Sequence, residues 1–550
     1  MPDRPLLGWL ADPPAGRGIR FAGPGESWDF WPYERLAGLA RQVAAGLADA
    51  GIGRGDAVSF VQRSGPGFVG TLFGSMLAGA VPSPVAPPMV FQDRPGYRRH
   101  LAALLAATRP ALVVTDADLA AEVAELAPGT PVLPTDQVLG DPDRAPSRPR
   151  RPAELALLQF TSGSSGRPRG VKVPFAALEA NVAAIRRWLG MDGRRATASW
   201  LPLHHDMGLI GCLVTPVVDG SDVWLLAPED FVQRPLRYLR CFATVGSAPA
   251  GAGAELTAMP SFGLRYVARR VRPDALAGLD FSGWRAVIVG AERVAADALE
   301  RFHTLLGPFG LSRKALLPAY GLAEATLAVT GLPVDEEWSA VPVAPDTLSL
   351  GAAVSVATGA PPLVGCGRPL AGVSVSVTGE DGAPLPDGHV GEIEVRGASL
   401  MAGYQQPADA GEDSSSLTAL AGGALRTGDA GFLAGGQLHV LGRLGDSMKV
   451  RARAIFAEDL EAALTAAGLA GTRVAVALGV RAGAATAVAV LERPKPDWAE
   501  QARALLRRSA EGAEVVVVCA PANTIPRTSS GKPKRRELWR AFLAGRVEGS

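Results

Sequence analysis

The sequence predicts an α/β fold with a small α+β module at its C-terminal end, on three observations. Helical patterns alternate with short apolar runs over residues 1 to about 150. Strand-like alternation prevails from about residue 365 to 395, which suggests a β-rich subdomain. A further set of strand and helix patterns follows a glycine-broken strand end at Gly442-Arg443-Leu444-Gly445-Asp446, a domain boundary and hinge candidate.

In chain order, residues 33–50 carry an amphipathic helical pattern, 57–61 read as a strand, 98–107 as a helix and 111–114 as a strand. Residues 64–91 carry no charge, but five glycines and five prolines interrupt them. That composition predicts a buried helix over 67–80, then an extended proline-rich strand, and no membrane span. Residues 141–151 are rich in Pro and Arg and read as a surface loop.

The most informative stretch is LLQFTSGSSGRPRG, residues 157–170. An apolar strand end runs into Thr161, Ser162, Gly163, Ser164, Ser165 and Gly166, followed by two arginines. Glycines let backbone N–H groups close around an anion, and a basic residue adds charge. A flexible Ser/Gly linker has a similar composition. A linker, however, does not normally sit between an apolar strand and an amphipathic run such as residues 176–189. The GxxxxGK[ST] form is absent.

In SWLPLHHDMGLIG, residues 199–211, His205 stands beside a helix start, where it fits either an anionic ligand or a structural role. AVIVGAE, residues 286–292, is a strand ending in a small-residue turn. In LLPAYGLAEATLAVT, residues 316–330, Tyr320 is placed to stack on a base or to fill a core. Glu324 suits a hard cation or the start of a helix. LRTGDAG, residues 425–431, puts Asp429 in a turn, and turn aspartates more often cap their own backbone. Near the end, RTSSGKPKRR presents Lys532 between Gly and Pro.

The 55 basic and 54 acidic residues nearly cancel, so no general nucleic-acid or membrane-surface binder is expected. Cys212, Cys241, Cys366 and Cys519 are scattered and form no CxxC pair. With no secretory leader in view, a reducing cytoplasmic location is expected.

Taken in order, these motifs resemble the adenylate-forming superfamily of acyl and aryl ligases, luciferases and adenylation domains, over nearly the full length. DFVQRPLRYLR, CGRPLAGV, LRTGDAGFL and SSGKPKRREL, with those above, look most like fatty acyl-AMP ligases. The resemblance implies a large N-terminal adenylation domain, residues 1–443, of stacked βαβ subdomains plus the β-rich subdomain. A small mobile α+β lid, residues 444–550, would carry the catalytic lysine, and residues 332–364 would correspond to an insertion. ATP and Mg²⁺ would be used to join a carboxylic acid to AMP.

By the same resemblance, Thr161 to Gly166 would hold the β- and γ-phosphates, with Arg169 where lysine is usual. Gly290, Ala291, Glu292, Tyr320 and Gly321 would line the adenine pocket. Thr326 or Ala325 would lie by the α-phosphate, and Glu324 would ligate Mg²⁺. Asp429 would accept the ribose hydroxyls, with Arg443 nearby. Lys532 would neutralise charge in the transition state, His205 would sit by the acyl carboxylate, and Asp446 would be the hinge.

The chain departs from the pattern in places. Ala452, Ala454, Ile455 and Ala457 stand where Gly, Asn, His and Pro are usual, and Arg293 replaces a proline. Met259-Pro260-Ser261-Phe262 replaces Ala-Pro-Asn-Phe, which suggests a specialised acid. The expected acceptor is the phosphopantetheine thiol of a separate acyl carrier protein, since no GxDS-type site follows residue 446. Coenzyme A and an amine are the alternatives. Lys532, Glu324 and Asp429 together argue against a non-catalytic binding module.

Overall fold

Parallel strands buried on both faces favour apolar runs, and six parallel strands, most of them apolar, pair side by side here. Leu316–Gly321, Ala286–Val289, Leu256–Met259, Thr197–Ser199, Val223–Leu225 and Gly18–Ala22 form the parallel centre of a nine-stranded sheet. Antiparallel strands close both edges: Trp28–Pro32 at one, and Ala328–Gly331 then Arg368–Pro369 at the other. The computed structural model describes residues 4–88, 94–145, 154–161, 169–246, 248–249, 253–344, 347–405, 418–450, 453–469, 473–527 and 532–547.

The expected βαβ alternation forms a second, four-stranded parallel sheet in the order Val81–Val85, Ala57–Val61, Leu112–Thr115, Val132–Pro134. Helices Tyr33–Asp49, Pro66–Ala78 and Arg94–Thr108 occur where periodicity predicts them. The uncharged helix Pro66–Ala78 has 13 residues and ends at Gly79, whose φ of 82° favours glycine. It packs closely on the preceding helix, because a Cβ at Gly74 would lie 2.7 Å from the Ala40 carbonyl oxygen. Among the described residues no helix is long and apolar enough to cross a membrane.

The strand feeding the phosphate loop, Leu155–Thr161, pairs antiparallel with Arg169–Pro174. The β-rich region is an antiparallel sheet of Val373–Thr378, Gly391–Gly397, Ala424–Ala434, Ala419–Ala421 and Gln437–Arg443. It corrects one sequence expectation: Asp429 lies within a strand, not in a turn. Gly428 (φ 71°) and a register shift at Ala430/Gly431 bend the strand there, while Asp429 still pairs with Arg443 across the ladder.

After Asp446 the chain forms a hairpin, Ser447–Val450 with Arg453–Phe456, and a three-stranded sheet of Val474–Arg481, Ala484–Glu492 and Glu514–Ala520. Strict alternation sends Val474, Val476 and Leu491 to one apolar cluster, and Ala475, Ala477 and Val490 to another. Helices Ala457–Ala466 and Trp498–Ser509 cover the first face, and Arg535–Leu543 covers the second. Within residues 332–364, Ala340–Pro342 pairs with Pro362–Val364. Val343, Leu348 and Leu363 from this segment share a cluster with Phe432, Leu441, Ala454 and Phe456.

Candidate active site

A pocket partly open to solvent is lined by five neighbouring strands of the large sheet and two helices. Strands Leu256–Met259, Ala286–Val289 and Leu316–Gly321 contribute Leu256, Ile288 and Tyr320, among others. Met207, Gly211 and Cys212 come from the helix Met207–Val214; Ile185, Trp188 and Leu189 come from Phe175–Leu189. Trp188 is fixed by a 2.7 Å hydrogen bond from its indole N–H to the Leu332 carbonyl. Among the described lining residues only Asp206 carries a charge. Such a surface takes an alkyl or aryl chain, and its lack of further charged groups disfavours a second ionised group on the ligand.

Gly290, Ala291, Tyr320 and Gly321 all line this cavity. Gly290 is required by close approach, since a Cβ there would lie 3.0 Å from the Ala319 carbonyl oxygen. Ala291 has a left-handed φ of 66°, which turns the chain sharply after the strand. Glu292 points elsewhere: it is exposed, and its Oε1 accepts the Phe262 backbone N–H at 3.0 Å, at the start of helix Ser261–Arg270.

The Tyr320 hydroxyl donates to Asp429 Oδ2 at 2.8 Å, and Arg443 Nε lies 3.6 Å from Oδ1. Burial raises the Asp429 carboxyl above its usual range, against the pull of Arg443. Burial, then the Asp429 charge, also holds Tyr320 far above a free phenol. Lys532 Nζ donates to the Ala291 carbonyl. Burial, then Arg443, lowers the Lys532 pKa, while Glu292, Asp206 and Asp429 oppose the shift. The structure thus brings Lys532, Asp429, Tyr320, Arg443 and Asp206 into one electrostatic neighbourhood.

Glu324 is 6% exposed and accepts the Tyr404 hydroxyl at 2.7 Å. The Arg169 guanidinium lies over the Tyr404 ring, 4.4 Å from its centroid. Thr326 is fully buried with φ 71°, and its hydroxyl donates to the Ser399 carbonyl at 2.7 Å. His205 Nδ1 lies 3.2 Å from Asp206 Oδ1, which also accepts the Met207 backbone N–H at 2.8 Å. Asp446 lies in the turn Leu444–Asp446 and pairs with Arg535 at 3.0 Å. Thr161 ends its strand; Ser162, Gly163, Ser164, Ser165 and Gly166 lie outside the described residues.

Sequence reasoning assigned no role to Asp206 or Tyr404. The HHDM string carried a signal for the first, because a carboxylate at a helix start accepts a backbone N–H. Tyr404 meets Glu324 across 80 positions of sequence, through pairing of Tyr404–Gln405 with Arg169–Pro174. No local pattern announces that contact.

An apolar pocket at the ends of parallel strands, with Tyr320 tying it to Asp429 and Ala291 to Lys532, is the kind of site in which an enzyme of an α/β fold holds its ligands. The family model for AMP-binding enzymes matches residues 19–405, and the chain belongs to that family. It is 32% identical to a putative acyl-CoA synthetase of Caulobacter vibrioides, over 95% of this chain and 92% of that protein. It is 28% identical to JamA of Moorena producens, a medium-chain-fatty-acid–[acyl-carrier-protein] ligase, over 94% of this chain and 90% of that one. Among solved structures it superposes with TM-score 0.87 on one from a study of fatty acyl-adenylate ligases of E. coli and L. pneumophila. There the identity is 29%, covering 98% of both chains.

Proposed function

We propose that this enzyme joins an apolar carboxylic acid to AMP and then passes the acyl group to the phosphopantetheine thiol of a separate carrier protein. The observation that carries the reading is the apolar cavity, whose lining includes Tyr320 and Ala291, the hydrogen-bond partners of Asp429 and Lys532. In the first step a carboxylate oxygen attacks the α-phosphorus of ATP. The bond to the β-phosphate bridging oxygen breaks, and pyrophosphate leaves. Two anions must meet, so the protein's task is positioning and charge neutralisation. Lys532 supplies the cation between carboxylate and α-phosphate, and Asp429 accepts the ribose hydroxyls. Tyr320 and the Gly290–Ala291 turn flank the base, and His205 stands by the acid.

Mg²⁺ commonly takes one or two protein carboxylates plus substrate phosphates. The buried Glu324 carboxylate, oriented by the hydroxyl of Tyr404, fits that requirement, and Arg169, over the Tyr404 ring, adds positive charge for phosphate. Glu324 would hold the ion, which would draw charge from the phosphate oxygens. Residues 444–550 act as a lid turning about Asp446, and the described free cysteines suit a reducing cytoplasm.

The test is ATP–pyrophosphate exchange over a panel of fatty, aromatic and amino acids, with mass spectrometry of the acyl-AMP. We expect exchange with alkyl or aryl acids and none with amino acids; silence with every acid while ATP still binds would overturn the reading. The similarity to a putative acyl-CoA synthetase favours coenzyme A as the second acceptor to examine. Offering carrier protein and coenzyme A to preformed adenylate separates the two.

A further inference from the structure

Among the described residues, Lys532 is one point at which the C-terminal part grips the turn after strand Ala286–Val289. Arg293 is another. Its guanidinium pairs with Asp459, in the first turn of helix Ala457–Ala466, and also donates to the Leu441 carbonyl at 3.4 Å. The pair is substantially screened from water, at 16% and 30% side-chain exposure. Charge pairs of that kind contribute more than exposed ones.

Gly442 lies against the start of that helix. A Cβ there would lie 2.8 Å from Glu458 Oε2, and the φ of 153° itself favours glycine. Within the lid, Arg535 binds Glu458 at 2.9 Å and Glu461 at 2.8 Å on that same helix. Arg535 stands three residues after Lys532. Helix and lysine segment are therefore tied together, and a force on Asp459 reaches Lys532 through Glu458 and Arg535.

Resting on the reaction proposed above, we infer that Arg293 is a positioning residue, a latch on the body that holds the lid in its adenylating orientation through Asp459. Turning about Asp446 would carry Asp459 away with the lid, while Arg293 keeps the Leu441 carbonyl on the body. Lys532 and Asp459 leave the same turn in one movement. The latch therefore favours adenylate formation over transfer.

The test compares Arg293→Gln, Asp459→Asn and the swap Arg293→Asp/Asp459→Arg in the full-length enzyme. Two rates are measured: adenylate formation, and transfer from synthetic acyl adenylate to pantetheine. Spin labels at Arg270→Cys and Arg507→Cys, in a Cys519→Ser background, report lid orientation independently of activity. We expect each single variant to slow adenylate formation about ten-fold, with KM for ATP held within about two-fold and transfer not slowed. A second label distance should appear in each, and the swap should restore one distance and most of the rate. Equal slowing of both steps, or an unchanged label distance in the single variants, would overturn the latch. If the parent enzyme activates no acid, the proposed function fails, and the label distances still decide the latch.

Discussion

Between Leu6 and Leu438 one large apolar cluster joins the large sheet to its helices, beside a smaller one at the second parallel sheet, whereas from Met448 to Val547 two small clusters cover opposite faces of three strands. The two regions meet through a mixed seam. Val343, Leu363, Ala454 and Phe456 supply its apolar part, while Arg293–Asp459 and the Lys532 contact with Ala291 supply its polar part. The large cluster fixes the cavity and the Tyr320–Asp429 pair in place. Polar contacts at the seam can be exchanged for water at small net cost, so they suit the lid movement proposed above.

The sharpest way to separate the regions is to damage one core alone. Trp284 is 1% exposed, stacked on Phe242 at 3.9 Å and edge-on to Phe302. Trp284→Ala should cost about 3–5 kcal/mol of body stability, read by chemical denaturation, while proteolytic resistance of the C-terminal part is retained. A loss below about 1 kcal/mol would show that this cluster relaxes as readily as a surface site. Next in size is the seam cation proposed above to neutralise charge in the reaction, Lys532. Lys532→Ala should lower adenylate formation by about 10²–10³-fold with ATP binding roughly kept, as seen by calorimetry. Normal adenylation in that variant removes Lys532 from the reaction.

The regions also differed in how far sequence revealed them. Strands 57–61 and 437–443 were legible to the residue because local apolar patterning is what their burial selects. The helix over 67–80 came out within two residues, and the expected proline-rich strand follows it at Val81–Val85, because glycine and proline punctuate this stretch. Asp429 was misplaced since GD in isolation carries the composition of a turn; only pairing with Arg443 keeps it in a strand. Glu324 with Tyr404, and Arg293 with Asp459, join positions 80 and 166 apart. Nothing in local periodicity encodes such contacts, and the motifs give residue types without partners.

Within the C-terminal part, a smaller effect probes the unit that carries Lys532. Arg535 faces Asp446, Glu458 and Glu461 at 2.8–3.0 Å, with 13% of its side chain exposed. Arg535→Gln leaves three carboxylates without their shared cation. We expect a loss of about 2–3 kcal/mol, below the value for a fully enclosed pair, confined to the C-terminal part and read by local hydrogen exchange. A loss spread equally over the body would contradict the separation of the two cores.

The smallest effect tests the body beside the seam. His204 Nε2 is shut from water without a hydrogen-bond partner, and burial, with His205 and His100 nearby, pulls its pKa from 6.5 to about 3. His100 in turn feels Lys534 and Glu537 of the C-terminal part. The unfolded chain therefore binds a proton at His204 below about pH 6.5 that the folded chain refuses until about pH 3. Stability from this group is complete above that window and falls as pH drops through it, by at most about 1.4 kcal/mol per pH unit and less after allowance for its partial exposure. Urea midpoints at pH 7 and pH 5 should differ less in His204→Gln than in the parent chain. Identical pH dependence in both would mean that water already reaches this ring, and that the body is as open beside the seam as the seam itself.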